Sequence, residues 1–175
     1  MNSEQFQSRR CAVISPDDTF ITAGGGVAEG LLAKAGPQFI LNEVAKFSPI
    51  PHGTVAVTSA GNLPVHYIFH AAAIKVEQDA SYLVSKESVY NAMMASLEHV
   101  ETLNVDALWV PLMGTGAGEL EPIESLNGIL EAIRDWQFIN IMPIIIMIFV
   151  YKFTILEKYT IQNSIQEILG AQFVL

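Results

Sequence analysis

The sequence of 175 residues has little cysteine, few basic residues and no long apolar run. Its single cysteine, Cys11, excludes a disulfide within the chain and is typical of a reducing compartment, so we expect a cytoplasmic protein. Nine Lys and Arg stand against 18 Asp and Glu, which gives a net charge of −9. Because an acidic domain repels polyanions, this charge argues against general binding to nucleic acid.

The most apolar segment, residues 141–151, is much shorter than the roughly 20 residues that a membrane-spanning helix needs. It also contains Pro143, and its β-branched side chains favour a buried strand, so we expect no membrane segment. Residues 1–10 are polar, and we expect no secretory signal there. With 51% hydrophobic and 15% charged residues, the chain has ample apolar material, and we predict one domain over residues 1–175.

Two glycine-rich segments stand out in the remainder. Gly24, Gly25 and Gly26 precede a helical pattern that begins at Val27, and a second segment, 114–118, lies between a strand pattern and a helix pattern. Glycine lets backbone N–H groups approach a ligand closely, and a helix N-terminus adds partial positive charge. Two such loops in one small domain predict a ligand with two phosphates.

Strand and helix patterns alternate along the whole chain. The apolar, β-branched runs are 11–14, 54–58, 65–71, 107–112 and 141–151, with a turn expected at 15–18. Helical spacing follows in 27–35, 37–47, 88–100, 122–133 and 161–169, with Ser88 as a candidate helix cap. This alternation predicts an α/β fold of three layers (α/β/α), with a mixed central sheet and helices on both faces. Ligands of such sheets bind beyond the carboxyl ends of the strands, where both glycine loops fall.

Three segments in the same order and spacing resemble macro domains: residues 15–27, 58–70 and 111–118. The resemblance covers about residues 11–134. It implies a macro-domain-like fold that binds ADP-ribose, either free or attached to a macromolecule, without a cofactor. It also implies that the leading edge strand of the family is missing here, so that Glu4 lies only roughly where the family's adenine-reading acid falls.

The resemblance assigns the two glycine loops to the pyrophosphate and the distal ribose, and Asp18 to the ribose hydroxyls. A carboxylate there can accept hydrogen bonds from hydroxyl groups. Aromatic residues at the end of the last strand, Tyr151 and Phe153, could stack on adenine or serve as core. The candidate ligand-binding residues are Asp18, Ala23, Gly24, Gly25, Gly26, Val27, Gly114, Thr115, Gly116, Ala117, Gly118 and Tyr151.

Two alternatives to simple binding stay open. The first is an ADP-ribosyl hydrolase or deacylase in which Asp18 activates water; the family's usual acid after the glycine run is replaced by Ala28, which disfavours it. The second is a degenerate interaction module with an exposed sheet edge. The family's aromatic residue in the second loop is also absent, since Ala117 and Gly118 stand there.

Other polar residues in these segments are expected to have structural roles. Asp17 is interpreted as a turn residue, and Cys11 as a small buried hydrophobe. His66 and His70 lie four apart in a predicted strand, so they could share one face. A metal site needs further ligands nearby, and we expect none.

Overall fold

The computed structural model describes residues 9–140, 144–149 and 163–169. The strands are β1 (Cys11–Asp18), β2 (Val55–Ser59), β3 (Tyr67–Val76), β4 (Tyr82–Leu83), β5 (Ala107–Pro111) and β6 (Ile145–Phe149). The helices are α1 (Gly26–Ala35), α2 (Pro37–Val44), α3 (Lys86–Leu103), α4 (Pro122–Ile139) and α5 (163–169).

Strand β1 lies at the middle of the sheet. The strand order is β2-β3-β1-β5-β6, and β4 pairs with the far end of β3. β1 is parallel to both β3 and β5, β6 is parallel to β5, and β2 is antiparallel to β3. The carboxyl ends of β3, β1 and β5 therefore meet at one edge of a mixed sheet. Within the described residues the sheet ends at β6, and the lack of a leading edge strand stays a prediction.

Helices cover both faces of this sheet, and the predicted three-layer α/β/α fold is confirmed. On one face, α3 and α4 bury a large apolar cluster that includes Phe69, Met93 and Leu97. On the other face, α1 and α2 pack Ile40 and Val44 against a smaller cluster around Ile68. Neighbouring β3 residues, Ile68 and Phe69, thus face opposite layers, as the two-residue period of a strand requires.

The turn expected at residues 15–18 is wrong, because β1 continues to Asp18. The register with β3 runs from Ala12 to Asp18, with an irregularity between Asp17 and Asp18. The register with β5, in contrast, ends at Val13. Pro16 is tolerated inside the strand because one side of β1 has no partner strand at that point.

Other element boundaries also differ from the sequence prediction, and α4, for example, ends at Ile139 and not at residue 133. The expected strand 65–71 lies at Tyr67–Val76, so β3 reaches well past the sheet edge. Helix α3 is capped by Ser85 rather than Ser88: the Ser85 side chain accepts from Ser88 N, and the Ser88 side chain accepts from Ser85 N. Ser88 therefore occupies the third helical position of a capping box.

Within the part of the chain that the structure describes, no helix combines the length and the apolar character needed to cross a membrane.

Gly61 and Gly30 give a contrast that tests this packing. Gly61 has φ +55°, and a Cβ there would lie 2.1 Å from the carbonyl oxygen of Ala35 at the end of α1. We expect Gly61→Ala to lower the free energy of unfolding by about 2–3 kcal/mol. A methyl group at Gly30, within α1, would meet no atom within 4 Å, so Gly30→Ala should raise it by about 0.5–1 kcal/mol.

Urea denaturation of both variants checks the pair. Equal free energies of unfolding for Gly61→Ala and the wild type would contradict the close approach of residues 59–62 to the end of α1.

Candidate functional site

A cleft of about 410 Å³ lies at the carboxyl edge of the sheet, between the loop after β1 and the loop after β5. The first of these we call the first loop (residues 19–25) and the second the second loop (residues 112–118). The described residues that line the cleft are Pro16, Asp17, Asp18, Thr22, Gly24, Gly25, Gly26, Val27, Ala28, Ile74, Val76, Tyr82, Leu112, Gly114, Thr115, Gly116 and Ala117. The position agrees with the general site of ligand binding in such sheets.

The first loop ends at the N-terminus of α1, which opens into the cleft. Gly25 is the N-cap residue, and no side chain caps this helix. The first backbone bond of the helix runs from Glu29 N to the Gly25 carbonyl oxygen at 3.3 Å. The N–H groups that precede Glu29 in the helix have no carbonyl partner within it, which is the arrangement that favours an anion.

Val27 faces this cleft. This residue, a candidate for ligand binding from the sequence, is 47% exposed. The buried residues of α1 are Ala28 and Ala35 instead. Ala28 is the buried residue at the start of the helix, and Ala35 is the buried residue at its end.

The second loop is held against the chain that follows β4. Gly114 has φ +78°, and a Cβ there would lie 2.5 Å from Val84 Cγ2; a Cβ on Gly118 would lie 2.8 Å from Val84 Cγ1. Leu120 N also donates to the Gly114 carbonyl oxygen at 3.0 Å. Glycine at 114 and 118 is therefore required by the packing of the loop itself.

Gly25 and Gly116 are different, because the fold supplies no steric reason for glycine at either position. A Cβ at either residue would meet nothing within 4 Å, and neither residue has a left-handed backbone. Both residues line the cleft, one on each side. The open space beside them is room in which a ligand can reach the backbone closely.

The carboxylate of Asp18 stabilises the first loop. Its Oδ1 accepts from Phe20 N at 2.7 Å, and its Oδ2 accepts from Thr22 Oγ1. A carboxylate has about four acceptor positions, so two bonds leave capacity for hydroxyl donors in the cleft.

Asp17 is the most heavily bonded carboxylate of the site, and it is buried. Its Oδ1 accepts from Ala23 N at 3.0 Å, and its Oδ2 accepts from Ser15 Oγ at 2.7 Å. Nδ1 of the buried His70 ring lies 3.1 Å from the same Oδ2, and Nε2 lies 3.0 Å from Thr58 Oγ1. Since a carboxylate only accepts, Nδ1 carries a proton and donates. Strands β1, β2 and β3 are thereby linked to the first loop through one carboxylate.

The charge of the cleft is unusual for an anion site. Its described lining contains two aspartates and neither Lys nor Arg. Attraction for a phosphate would come from backbone N–H groups and from the dipole of α1. Within the described residues no group of three or more His, Cys, Asp or Glu is arranged to hold a metal ion.

Most of the sequence-predicted site residues come together around this cleft. Asp18, Gly24 to Val27 and Gly114 to Ala117 all line it. Ala23 instead turns its N–H to Asp17, and Gly118 packs on Val84; neither lines the cleft. Glu4, Tyr151 and Phe153 lie outside the described residues.

His66, His70 and Cys11 make hydrogen bonds within the fold. His66 Nδ1 accepts from Cys11 N at 3.1 Å, whereas His70 Nδ1 donates to Asp17. The two rings therefore have separate hydrogen-bond partners. Cys11 is buried, as predicted. Burial, followed by the charge of Asp106, raises the pKa of its thiol, which stays protonated at neutral pH.

Sequence reasoning missed the partner of Asp17 and one wall of the cleft. Asp17 was interpreted as a turn residue, and its bond to His70 spans 53 positions of sequence. Ile74, Val76 and Tyr82 lie in residues 72–86, for which the sequence predicted neither a strand nor a helix. The alternation of apolar Ile74 and Val76 around Lys75 was the one available signal that β3 continues there.

Comparison with known proteins places this geometry in a family. The Macro domain family matches residues 14–127. An uncharacterized protein of Aeropyrum pernix is 29% identical over 113 residues, which are 65% of this chain and 58% of the relative. Another, of Pyrobaculum aerophilum, is 33% identical over 109 residues, which are 60% of this chain and 57% of the relative. The chain thus spans less than two thirds of the length of these relatives.

Solved structures share the fold at low sequence identity. The Oceanobacillus iheyensis macrodomain with ADP has a TM-score of 0.68 at 20% identity, with 91% of this chain and 84% of that chain covered. The Trypanosoma brucei macrodomain in complex with ADP-ribose has a TM-score of 0.67 at 16% identity, with coverage of 89% and 62%.

The Asp17 network predicts a difference between two substitutions. Asp17→Ala leaves Ala23 N, Ser15 and His70 without their partner and should lower the free energy of unfolding by about 3–5 kcal/mol. Asp17→Asn should cost clearly less, because its oxygen can still accept from Ala23 N. Its amide can donate to Ser15 and to a neutral His70 whose proton has moved to Nε2.

Urea denaturation measures both variants, and Asp18→Ala is the control from the neighbouring, less buried carboxylate. We expect Asp18→Ala to lower the free energy of unfolding by about 1 kcal/mol. Losses of that small size for Asp17→Ala would show that the buried network does not hold the first loop.

Proposed function

The chain belongs to the macro domain family, and on this premise we propose that it binds ADP-ribose, either free or attached to a macromolecule. The observation that carries the proposal is the pair of glycine loops on opposite sides of one cleft. The uncapped N-terminus of α1 opens between them. Two macrodomains of solved structure, one with ADP and one in complex with ADP-ribose, support the same choice of ligand.

The pyrophosphate is proposed to lie between Gly24–Val27 on one side and Gly114–Ala117 on the other. N–H groups at the start of α1 would donate to it, and Gly25 and Gly116 would leave room for its oxygens. Asp18 is proposed to accept from hydroxyls of the terminal ribose through the positions that Phe20 N and Thr22 Oγ1 leave open. Tyr151 remains a proposed stacking partner for adenine.

A diphosphate joined to two ribose groups suits this cleft better than a more highly charged anion. Two aspartates line it and the whole chain carries −9, so each added negative charge on a ligand raises the repulsion. Sugar hydroxyls, in contrast, are neutral donors that the carboxylate of Asp18 can bind.

Binding is favoured over hydrolysis of an ADP-ribosyl bond. A general base must be able to reach an attacking water, and Asp17 already accepts three hydrogen bonds in a buried position. Asp18 accepts two from its own loop, and its remaining acceptor positions are the ones proposed to bind the ribose hydroxyls. Ala28, at the start of α1, is buried and has no group that can move a proton.

Gly116→Val tests the binding proposal. The added side chain enters open space at the second loop, so it should block the ligand without disturbing the fold. We expect isothermal titration to show a Kd for ADP-ribose at least about tenfold above that of the wild type, a loss of about 1.4 kcal/mol or more. The free energy of unfolding should stay within about 0.5 kcal/mol.

Gly30→Ala is the matched control, because its new methyl group also meets open space but lies outside the cleft. Its Kd should equal that of the wild type. No heat and no thermal shift with ADP-ribose at millimolar concentration would remove the proposal. Gly114→Ala is unsuitable, since a clash with Val84 would alter folding and binding together.

The choice between binding and hydrolysis has its own test. On incubation with an ADP-ribosylated protein or an O-acyl-ADP-ribose, we expect the substrate to remain intact over hours, as followed by chromatography. Release of ADP-ribose that Asp18→Ala abolishes would establish the hydrolase or deacylase instead.

A further inference from the structure

The hairpin formed by the end of β3, residues 77–81 and β4 contributes a wall to the cleft. Val76 pairs with Tyr82, and Lys75 pairs with Leu83. Glu77 N donates to the Ser81 carbonyl oxygen at 2.9 Å and closes the turn. From this hairpin and the strand leading into it, Ile74, Val76 and Tyr82 reach the cleft.

This hairpin is attached to both glycine loops. At its start, Ile74 is the register partner of Asp18, and Thr19 N donates to the Ile74 carbonyl oxygen at 3.1 Å. At its end, Val84 lies against Gly114 and Gly118 of the second loop. Tyr82 is two residues before Val84, so its position is fixed relative to both sides of the cleft.

Tyr82 is the aromatic residue among the described residues that line the cleft. Its side chain is 51% exposed, although aromatic rings gain much from burial, and in the free protein one part of it faces the open cleft. Leu83, 48% exposed, does not line the cleft, as alternation along a strand requires.

We infer that Tyr82 contacts the terminal ribose of the ligand and makes the site prefer ADP-ribose over ADP. This inference rests on the proposed function, which puts the terminal ribose beside Asp18. The hairpin wall begins at the register partner of Asp18, on the β3 side of β1, so it bounds that end of the cleft. The ring presents an apolar face to the sugar, and Ile74 and Val76 extend this apolar surface.

The same wall would limit which macromolecules can be attached to the terminal ribose of a bound ligand. A bulky group there has to pass Tyr82, so the same side chain would affect which ADP-ribosylated molecules can enter. The hydroxyl is not needed for packing against the sugar face, and the ring alone should be sufficient.

Titration of Tyr82→Ala with ADP-ribose and with ADP tests the inference, because ADP lacks the terminal ribose. We expect the Kd for ADP-ribose to rise about tenfold, whereas the Kd for ADP changes less than about twofold. Tyr82→Phe should bind both ligands as the wild type does. Leu83→Ala, the neighbouring residue with similar exposure, should change neither Kd.

The outcomes separate this inference from the proposed function. Binding of neither ligand by the wild type removes both. If the wild type binds both ligands, two results for Tyr82→Ala overturn the role of Tyr82 and leave the proposed function standing. One is an equal loss of affinity for ADP and ADP-ribose, and the other is no loss of affinity for either ligand. The midpoint of thermal unfolding is measured for each variant. A midpoint equal to that of the wild type assigns a change in Kd to the cleft and not to the fold.

Discussion

The site depends on one buried carboxylate. Asp17 lies at the end of the central strand, where it accepts hydrogen bonds from Ser15, from His70 of β3 and from the backbone of Ala23. A buried carboxylate is stable only when its acceptor positions are filled, so these donors have to be in place when the chain folds. The loop that leads to Gly24 is consequently tied to the sheet at Ala23. The start of α1 then has a fixed direction toward the cleft.

The other side of the cleft is positioned by packing instead of by charge. Val84 lies where a Cβ on Gly114 or Gly118 would have to be, so the second loop closes tightly over the chain that follows β4. A hydrogen-bonded first loop and a sterically closed second loop face each other across the cleft. Between them the described lining offers backbone amides, two aspartates and apolar side chains.

Local sequence patterns predicted the layers, most element positions and the two glycine loops, because periodicity and glycine both act over a few residues. The predicted end of β1 was wrong because Ser15, Pro16 and the two aspartates form a typical turn sequence. Its pairing with β3 is a contact across more than 50 positions and overrides that preference. The partner of Asp17 was missed for the same reason. Tyr82 was missed because a strand of two residues has no period to detect.

The absence of Lys and Arg from the described lining of the cleft has a kinetic meaning. An anionic ligand approaching a chain of net charge −9 gains no long-range attraction, since amide dipoles act only at contact. Encounter is therefore unsteered and becomes faster, not slower, as salt screens the repulsion. If phosphate oxygens bind the amides as proposed, slow release has to offset this slow encounter, because occupancy depends on the ratio of the two rates. The affinity of the proposed complex would then come from a long residence time and not from a fast association rate.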